Sequence, residues 1–299
     1  MDINVLNELF AIPGHLHFEA REGGLTRAVV DNAYATCELY LHGAHVTSFI
    51  PKTGSELLWL SESARFEQSR AIRGGVPICW PWFGPDPEAK GRPQHGFVRD
   101  REWTLFGTSV NAAGETVVRL GLQDSKATMA LWPHPFLLEY AVTVGESLTL
   151  ELTTRNEGGT PMHLSQALHT YLRVDAIEKV LIDGLEGRTY IDKVRDEARG
   201  VQEGPLAITA ETDRIYEEDA PSCLLHDGSR EIVVSKSGSA SSVVWNPWAE
   251  KAKAMADFDD EGYRRMVCIE TANAASDART LLPGQSHTLR QNIALTLAP

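Results

Sequence analysis

The sequence has little cysteine and no long apolar run, and both absences narrow the class of protein. Only four of the 299 residues are cysteine. They lie far apart and form no C-x-x-C pair, so neither a disulfide scaffold nor a zinc ribbon is indicated. No run of about 18 apolar residues occurs, so no segment is predicted to span a membrane. The first residues lack the basic and apolar regions of a secretory signal. We therefore expect a soluble, cytoplasmic protein with reduced cysteines.

Basic residues are also scarce, and they are unevenly distributed. Lysine and arginine number 28 against 41 acidic residues, for a formal net charge of −13. A nucleic-acid-binding protein normally has a basic face, so this composition argues against one. Residues 65–101, however, contain seven basic and four acidic side chains, which gives +3 there and −16 for the remaining residues. A small anionic ligand is therefore compatible with this segment.

The hydrophobic pattern predicts many strands and few helices. Apolar and polar residues alternate, or β-branched residues cluster, in the following segments: 34–50 (two runs broken at Gly43), 116–122, 136–144, 148–154, 230–236, 241–245, 266–270 and 289–297. Helical patterns are confined to 2–10 and 249–256, and the acidic stretch 211–219 is predicted to be a solvated loop. Such a pattern is typical of an all-β protein with an antiparallel sandwich or barrel. We expect one domain over residues 1–299.

The positively charged segment contains the most distinctive string of residues. Arg73 is followed by Gly-Gly-Val-Pro-Ile-Cys-Trp-Pro-Trp-Phe-Gly84, and Gln94 by His-Gly-Phe-Val-Arg99. Arginine binds phosphate or carboxylate through a planar fork of donors. Glycines beside it allow a ligand to approach the backbone. The following tryptophans either offer flat faces to a sugar or pack in the core: Trp80, Trp82, Trp245 and Trp248.

Two titratable residues in strand-like runs are candidates for proton transfer. His169 lies in Leu168-His-Thr-Tyr171, and Glu270 ends Val267-Cys-Ile-Glu270. A carboxylate in an apolar run either points to solvent or is desolvated at a functional site. The pairs His42/His45 and His15/His17 offer imidazoles at close spacing but bring no third metal ligand at a recognisable distance.

Taken together, these strings resemble one enzyme family. The segment Arg70-Ala-Ile-Arg-Gly-Gly-Val-Pro-Ile-Cys-Trp-Pro-Trp-Phe-Gly84, followed by Pro93-Gln-His-Gly-Phe-Val-Arg99, resembles the hexose-6-phosphate mutarotases (glucose-6-phosphate 1-epimerases) of the aldose 1-epimerase superfamily. Further matching motifs lie at 168–171, 212–216, 244–248 and 266–270. The resemblance extends over about residues 15–297, with the motifs in family order.

The resemblance implies a fold, a reaction and a set of roles. The fold is a large antiparallel β-sandwich, the galactose mutarotase-like supersandwich. The reaction interconverts the α and β anomers of a hexose 6-phosphate, with D-glucose 6-phosphate the expected substrate, and it needs no cofactor or metal. By motif position, His169 is the general acid and Glu270 the general base, and the substrate-binding residues are Arg73, Gln94, His95, Arg99 and Asp213. Thr271 stands where many members have proline, which is expected to alter the local turn only.

Two other hypotheses remain open from the sequence. One is a non-catalytic sugar-phosphate-binding protein on the same scaffold. The other is a metal-dependent β-barrel isomerase that uses the clustered histidines. In each case the expected partner is a small molecule, with neither nucleic acid nor membrane involved, and the protein is expected to be a monomer. The identity of the arginine that holds the phosphate also stays open.

Overall fold

The computed structural model describes residues 2–217, 221–228 and 230–296. Its helices are short: α1 (Ile3–Phe10), α2 (Lys126–Leu131) and α3 (Trp248–Ala254), with 3-10 turns at Glu22–Gly24, Ile177–Lys179, Lys193–Arg195, Gly262–Arg265 and Ala275–Asp277. The strands β1 to β23 are, in chain order, Leu16–Ala20, Thr26–Asp31, Ala35–Tyr40, His45–Pro51, Ile78–Cys79, Thr104–Val110, Thr116–Gln123, Phe136–Val144, Ser147–Asn156, Met162–Leu164, Gln166–Leu168, Tyr171–Arg173, Leu181–Asp183, Thr189–Asp192, Ala198–Val201, Leu206–Ala207, Thr212–Glu217, Ser222–His226, Glu231–Ser237, Ser241–Asn246, Met266–Asn273, Arg279–Leu281 and Ser286–Thr296.

Two large antiparallel sheets form most of the structure. The nine-stranded sheet has the order β16-β13-β18-β19-β23-β9-β8-β7-β6. The eight-stranded sheet has the order β15-β14-β17-β20-β21-β11-β5, and β12 also pairs with β21. A four-stranded sheet, β1-β2-β3-β4, and the pair β10-β22 complete the described strands. The predicted fold class, an all-β antiparallel sandwich with few short helices, is confirmed.

The burial of alternate residues explains why most of the long strands could be predicted. In β8 and β9 every second side chain is buried, as expected where one face of a sheet packs on the core. Strands β20 and β21 differ, because every residue in them is buried. One of their faces packs against the nine-stranded sheet and the other bounds the cavity described below. The helical predictions at 2–10 and 249–256 correspond to α1 and α3.

Hydrogen bonds between buried side chains connect the two large sheets. Trp80 Nε1 donates to Thr154 Oγ1 over 3.1 Å, and Thr154 Oγ1 donates to Gln166 Oε1 over 3.2 Å. Thr170 Oγ1 donates to Gln291 Oε1 over 2.5 Å, and Gln291 Nε2 donates to the Ile269 carbonyl oxygen over 3.3 Å. We call these side chains the inter-sheet network. Their mutual pairing offsets the cost of removing polar groups from water.

The prediction of a solvated loop at 211–219 is wrong. Thr212–Glu217 is β17, which pairs with both β14 and β20 within the eight-stranded sheet. The acidic composition misled the interpretation, because Glu217 is buried in an ion pair with Arg199. Residues 218 and 219 lie outside the described residues, as does 297 at the end of the predicted strand 289–297.

The segments of the chain that the structure describes contain no helix long and apolar enough to cross a membrane. The four cysteines are buried.

Candidate active site

A cavity of about 470 Å³ opens on one face of the eight-stranded sheet. All seven residues singled out from the sequence line it: Arg73, Gln94, His95, Arg99, His169, Asp213 and Glu270. They come from separate parts of the chain. Glu270 lies on β21 and Asp213 on β17, His169 lies between β11 and β12, and the others lie in the loops around β5.

Backbone contacts bring the Arg73 motif against the His169 motif. The Tyr171 N–H donates to the Gly75 carbonyl oxygen over 2.9 Å, and the His169 N–H donates to the Pro77 carbonyl oxygen over 3.0 Å. Gly74 and Gly75 have φ of +104° and +61°, and a Cβ on either would lie 2.5 Å or less from a backbone oxygen. The expectation that these glycines make room for a ligand is therefore wrong. They make room for the neighbouring backbone and thereby fix Arg73.

His169 and Glu270 meet at the floor of the cavity. His169 Nε2 lies 3.4 Å from Glu270 Oε1, and the side chains are 9% and 1% exposed. Both β11 and β12 pair with β21, which places the short connection carrying His169 beside Glu270. The other polar atoms, His169 Nδ1 and Glu270 Oε2, are buried and have no hydrogen-bond partner in the part of the chain that the structure describes. Unpartnered buried polar atoms are uncommon, and at the base of a cavity they are available to a ligand.

Burial shifts the pKa values of this pair in opposite directions. It lowers the pKa of His169 well below its usual value, and His95, Arg99 and Arg73 lower it further. Burial raises the pKa of Glu270 well above its usual value, and Asp213 adds to this effect while Arg99 opposes it. Both shifts favour the uncharged forms of the two side chains. The pair therefore holds one transferable proton over a range of pH.

Aromatic rings fix the plane of the His169 imidazole. The Tyr171 ring stacks on it with a centroid distance of 4.8 Å and an interplanar angle of 13°. The rings of His95 and Trp245 contact it edge-on, at 5.7 and 5.8 Å. The Tyr171 ring covers one face of the imidazole, and His95 and Trp245 contact the imidazole edge-on. The His169 ring therefore has little freedom to rotate.

His95 is a neutral hydrogen-bond donor at the cavity wall. The Gly84 N–H donates to His95 Nδ1 over 3.2 Å, so in the neutral ring the proton is on Nε2. Burial lowers the pKa of His95 to about 3, and Arg99 and Arg73 contribute to the shift.

Arg73 and Arg99 differ in how many of their N–H groups are already hydrogen-bonded within the protein. Arg73 binds Asp257, at 3.3 Å from Nε and 3.2 Å from Nη2, and its Nη1 donates to the Tyr171 hydroxyl over 3.1 Å. Arg99 donates from Nη2 to the Gln94 carbonyl oxygen over 2.9 Å. Among the described residues no carboxylate forms an ion pair with Arg99. Its charge is therefore the more available to an anion.

Two lysines lie near Asp213 at the cavity. The interpretation of the sequence missed them. Lys193 and Lys251 line the cavity and form ion pairs at 2.6 Å with Glu197 and at 2.8 Å with Glu211. Burial raises the pKa of Asp213, an effect that both lysines oppose. Neither lysine lies in a motif, so only the fold reveals their position.

The sequence left open whether the tryptophans face a sugar or pack in the core, and the structure shows examples of both positions. Trp245 lines the cavity. Trp80 and Trp82 are buried in the main core, and Trp248 packs on Tyr263 at 5.3 Å, outside the cavity lining. Phe83 and Tyr171 are the other phenyl-type rings that line the cavity.

Thr271 does not alter a turn as expected. It is buried within β21, paired with Ser242 and Leu168, and the strand continues to Asn273.

His42 and His45, the histidines of the metal-dependent alternative, are hydrogen-bonded to the backbone and are not grouped with a third metal ligand among the described residues. His42 Nε2 and His45 Nε2 each donate to a carbonyl oxygen, of Arg70 at 2.6 Å and of Gly74 at 2.7 Å. Among the described residues, potential ligand atoms cluster only at His169, Cys268 and Glu270, within 4.8 Å of one another. Arg73 and Arg99 act electrostatically on this position and disfavour a divalent cation there.

Comparisons with known proteins identify the family of this chain. The family model for aldose 1-epimerase matches residues 27–294. The chain belongs to the aldose 1-epimerase family. Two curated relatives carry glucose-6-phosphate 1-epimerase as a provisional name. The protein from Cenchrus ciliaris is 39% identical, with 92% of this chain and 86% of the relative covered. The protein from Escherichia coli K12 is 37% identical, with 89% and 88% covered.

A solved structure of another family member agrees over nearly the whole fold. It is a protein from Salmonella typhimurium that carries the provisional name of mutarotase. The TM-score is 0.90 at 33% identity, with 99% of each chain covered.

Proposed function

We propose that this aldose 1-epimerase family member interconverts the α and β anomers of a hexose 6-phosphate, with D-glucose 6-phosphate the foremost candidate. The observation that carries the proposal is the His169–Glu270 pair at the base of a cavity that also contains Arg99, with which no described carboxylate forms an ion pair. The names of its relatives point to the same reaction and sugar.

The reaction needs two coordinated proton transfers. One group removes the proton from the C1 hydroxyl while another protonates the ring oxygen, which opens the ring to an aldehyde. Rotation about the C1–C2 bond and closure on the other face give the second anomer. In this proposal Glu270 accepts the first proton and His169 donates the second, and the roles reverse on closure. Their 3.4 Å separation allows both to reach the C1 and ring-oxygen region of one sugar.

Substrate charge prepares the pair for these roles. Arg73 and Arg99 both lower the pKa of His169, whereas only Arg99 lowers that of Glu270. A phosphate dianion bound at Arg99 offsets part of the positive charge that lowers the pKa of His169, so a protonated imidazole becomes less unfavourable. We propose that the shared proton then moves toward the imidazole and leaves the carboxylate as the base.

The remaining predicted residues bind the substrate in this proposal. Arg99 is the main phosphate ligand, because Arg73 is already held by Asp257 and Tyr171. Gln94 and His95 donate neutral hydrogen bonds, and Asp213 accepts one from a sugar hydroxyl. The protein acts in the cytoplasm as a single-domain monomer. A cytoplasmic location is compatible with its few, widely separated cysteines.

Polarimetry of freshly dissolved α-D-glucose 6-phosphate tests the proposal. We expect purified protein to accelerate the approach to anomeric equilibrium in proportion to its concentration. Calorimetric titration with the same sugar phosphate distinguishes an enzyme from the alternative, a non-catalytic sugar-phosphate-binding protein. Binding without acceleration would establish a sugar-phosphate-binding protein and overturn the enzymatic proposal. Acceleration that survives exhaustive treatment with a chelator would remove the metal-dependent alternative.

A further inference from the structure

Three consecutive residues behind the cavity wall each hold a different part of the site. Asp257, Phe258 and Asp259 follow α3, and none of them lines the cavity. No sequence motif drew attention to them. They come between the motif at 244–248 and the strand that carries Glu270.

Asp257 begins a chain of direct contacts that ends at His169. Its Oδ1 accepts from Arg73 Nε over 3.3 Å and lies 3.2 Å from Nη2. Arg73 Nη1 donates to the Tyr171 hydroxyl over 3.1 Å, and the Tyr171 ring stacks on the imidazole at 4.8 Å. The Arg73 and Asp257 side chains are only 25% and 29% exposed, so the ion pair is partly shielded from water.

The next two residues support the same side of the cavity. The Phe258 ring packs on Trp59 at 4.7 Å, and Trp59 stacks on the face of Tyr171 at 5.8 Å and 22°. The Asp259 carboxylate accepts the N–H groups of Glu62 and Ser63, each over 2.9 Å. Tyr171 is therefore sandwiched between Trp59 and His169, and its hydroxyl is held through Arg73 by Asp257.

We propose that Asp257 is a positioning residue, which fixes Arg73 against the Tyr171 hydroxyl and so holds the Tyr171 ring flat against the His169 imidazole. Its carboxylate also offsets the charge of Arg73. Removal of Asp257 therefore has two separable consequences. The imidazole loses its fixed orientation, and Arg73 becomes freer to attract an anion.

Nuclear magnetic resonance of the full chain tests the positioning role without any activity assay. Histidine is labelled in wild type, Asp257→Ala, Tyr171→Phe and Asp260→Ala, and His169→Ala assigns the signal. Asp260 is an exposed neighbour and the matched control. We expect the His169 ring signals to shift or broaden in Asp257→Ala and Tyr171→Phe and to match wild type in Asp260→Ala. Unchanged His169 signals in both of the first two variants would overturn the proposal.

Kinetics provide the second arm, which rests on the proposed function. Misplaced reacting groups commonly cost about 10-fold to 100-fold, so we expect kcat of Asp257→Ala to fall by about that factor. KM for glucose 6-phosphate is expected to stay level or fall, because Arg73 is released. The double variant Asp257→Ala/Tyr171→Phe should lose no more kcat than the worse single variant, because both substitutions break the same series of contacts from Asp257 to His169. Additive losses, or a raised KM with unchanged kcat, would contradict the proposal.

The two arms separate the two claims. If the His169 signals respond as expected but no variant or wild type accelerates anomerisation, the positioning role stands and the proposed function fails. If Asp257→Ala does not fold, Tyr171→Phe still tests the proposal, because it removes the hydroxyl through which Arg73 holds the Tyr171 ring. The same His169 ring signals then decide the outcome.

Discussion

The inter-sheet network and the His169–Glu270 pair lie on opposite faces of the eight-stranded sheet and differ in how their buried polar groups are hydrogen-bonded. Between the sheets, the inter-sheet network pairs Thr154 with Gln166 and Thr170 with Gln291. On the cavity face, His169 Nδ1 and Glu270 Oε2 are also buried but have no hydrogen-bond partner among the described residues. The first arrangement contributes to stability. The second leaves hydrogen-bonding capacity for a ligand and shifts the pKa values of both groups toward their neutral forms.

The largest expected effect comes from removing either member of the cavity pair. A positioned general acid or base typically contributes about 10²- to 10⁴-fold, so His169→Ala and Glu270→Gln should each reduce kcat/KM by about that factor. Circular dichroism and thermal unfolding should show a folded protein in both cases. A variant with near wild-type rate would assign the proton transfer to another residue.

Loss of Arg99, which forms no ion pair with a described carboxylate, should affect binding of the phosphate in particular. A hydrogen bond to a charged group is worth about 1.5–3 kcal/mol, so Arg99→Leu should raise KM for glucose 6-phosphate by about 10- to 100-fold. The rate with free glucose should change much less. Arg65→Leu, an exposed position in the same positively charged segment, is the control. Equal losses with both sugars would show that Arg99 contacts the sugar instead.

The inter-sheet network should show the reverse behaviour. Thr154→Val keeps the shape of the side chain but leaves Trp80 Nε1 and Gln166 Oε1 without their partner. Buried unpaired groups cost about 1–3 kcal/mol each, and we expect a loss of that order in the free energy of unfolding. Urea titration measures it, with Thr153→Val on the outer face as control. A large loss of kcat in the folded Thr154→Val protein would show that the two faces are not independent.

The smallest effect concerns stability and its dependence on pH. The pKa of Glu270 is raised in the folded state, so its contribution to stability is fully present below the unfolded-state value and is lost as pH rises through the folded value. Glutamine does not titrate. We therefore expect the Tm of Glu270→Gln to exceed that of wild type, by a margin that grows from pH 5 to pH 8. A margin that shrinks over this range would contradict the assigned direction of the shift.

The sequence predicted most of the long strands and missed the short ones, although it also missed β2 and β6, which have six and seven residues. β8 and β9 extend over nine and ten residues, enough for an alternating pattern to be recognised. Between residues 162 and 207 the strands are two to four residues long, too short to show a period. β17 was taken for a loop because its acidic residues are paired or buried only in the folded protein.

The residues of the candidate site that lie in family motifs were predicted from the sequence. The site residues outside those motifs were missed. The resemblance named seven positions, and all seven line one cavity. Lys193 and Lys251 reach that cavity from a 3-10 turn and a short helix that carry no family string. Asp257 contacts a residue 184 positions away. No local pattern encodes a contact at that separation, because it depends on the order of strands in the sheet.

The central claim is that the His169–Glu270 pair moves protons between the two anomers of a sugar phosphate. Exchange spectroscopy at anomeric equilibrium measures it directly, by transfer of magnetisation between the α and β C1 protons of glucose 6-phosphate. The account predicts that transfer increases with wild-type protein and with Thr154→Val, and returns to the buffer rate with Glu270→Gln. Wild-type protein that adds nothing to the buffer rate, or Glu270→Gln that exchanges as fast as wild type, would contradict it.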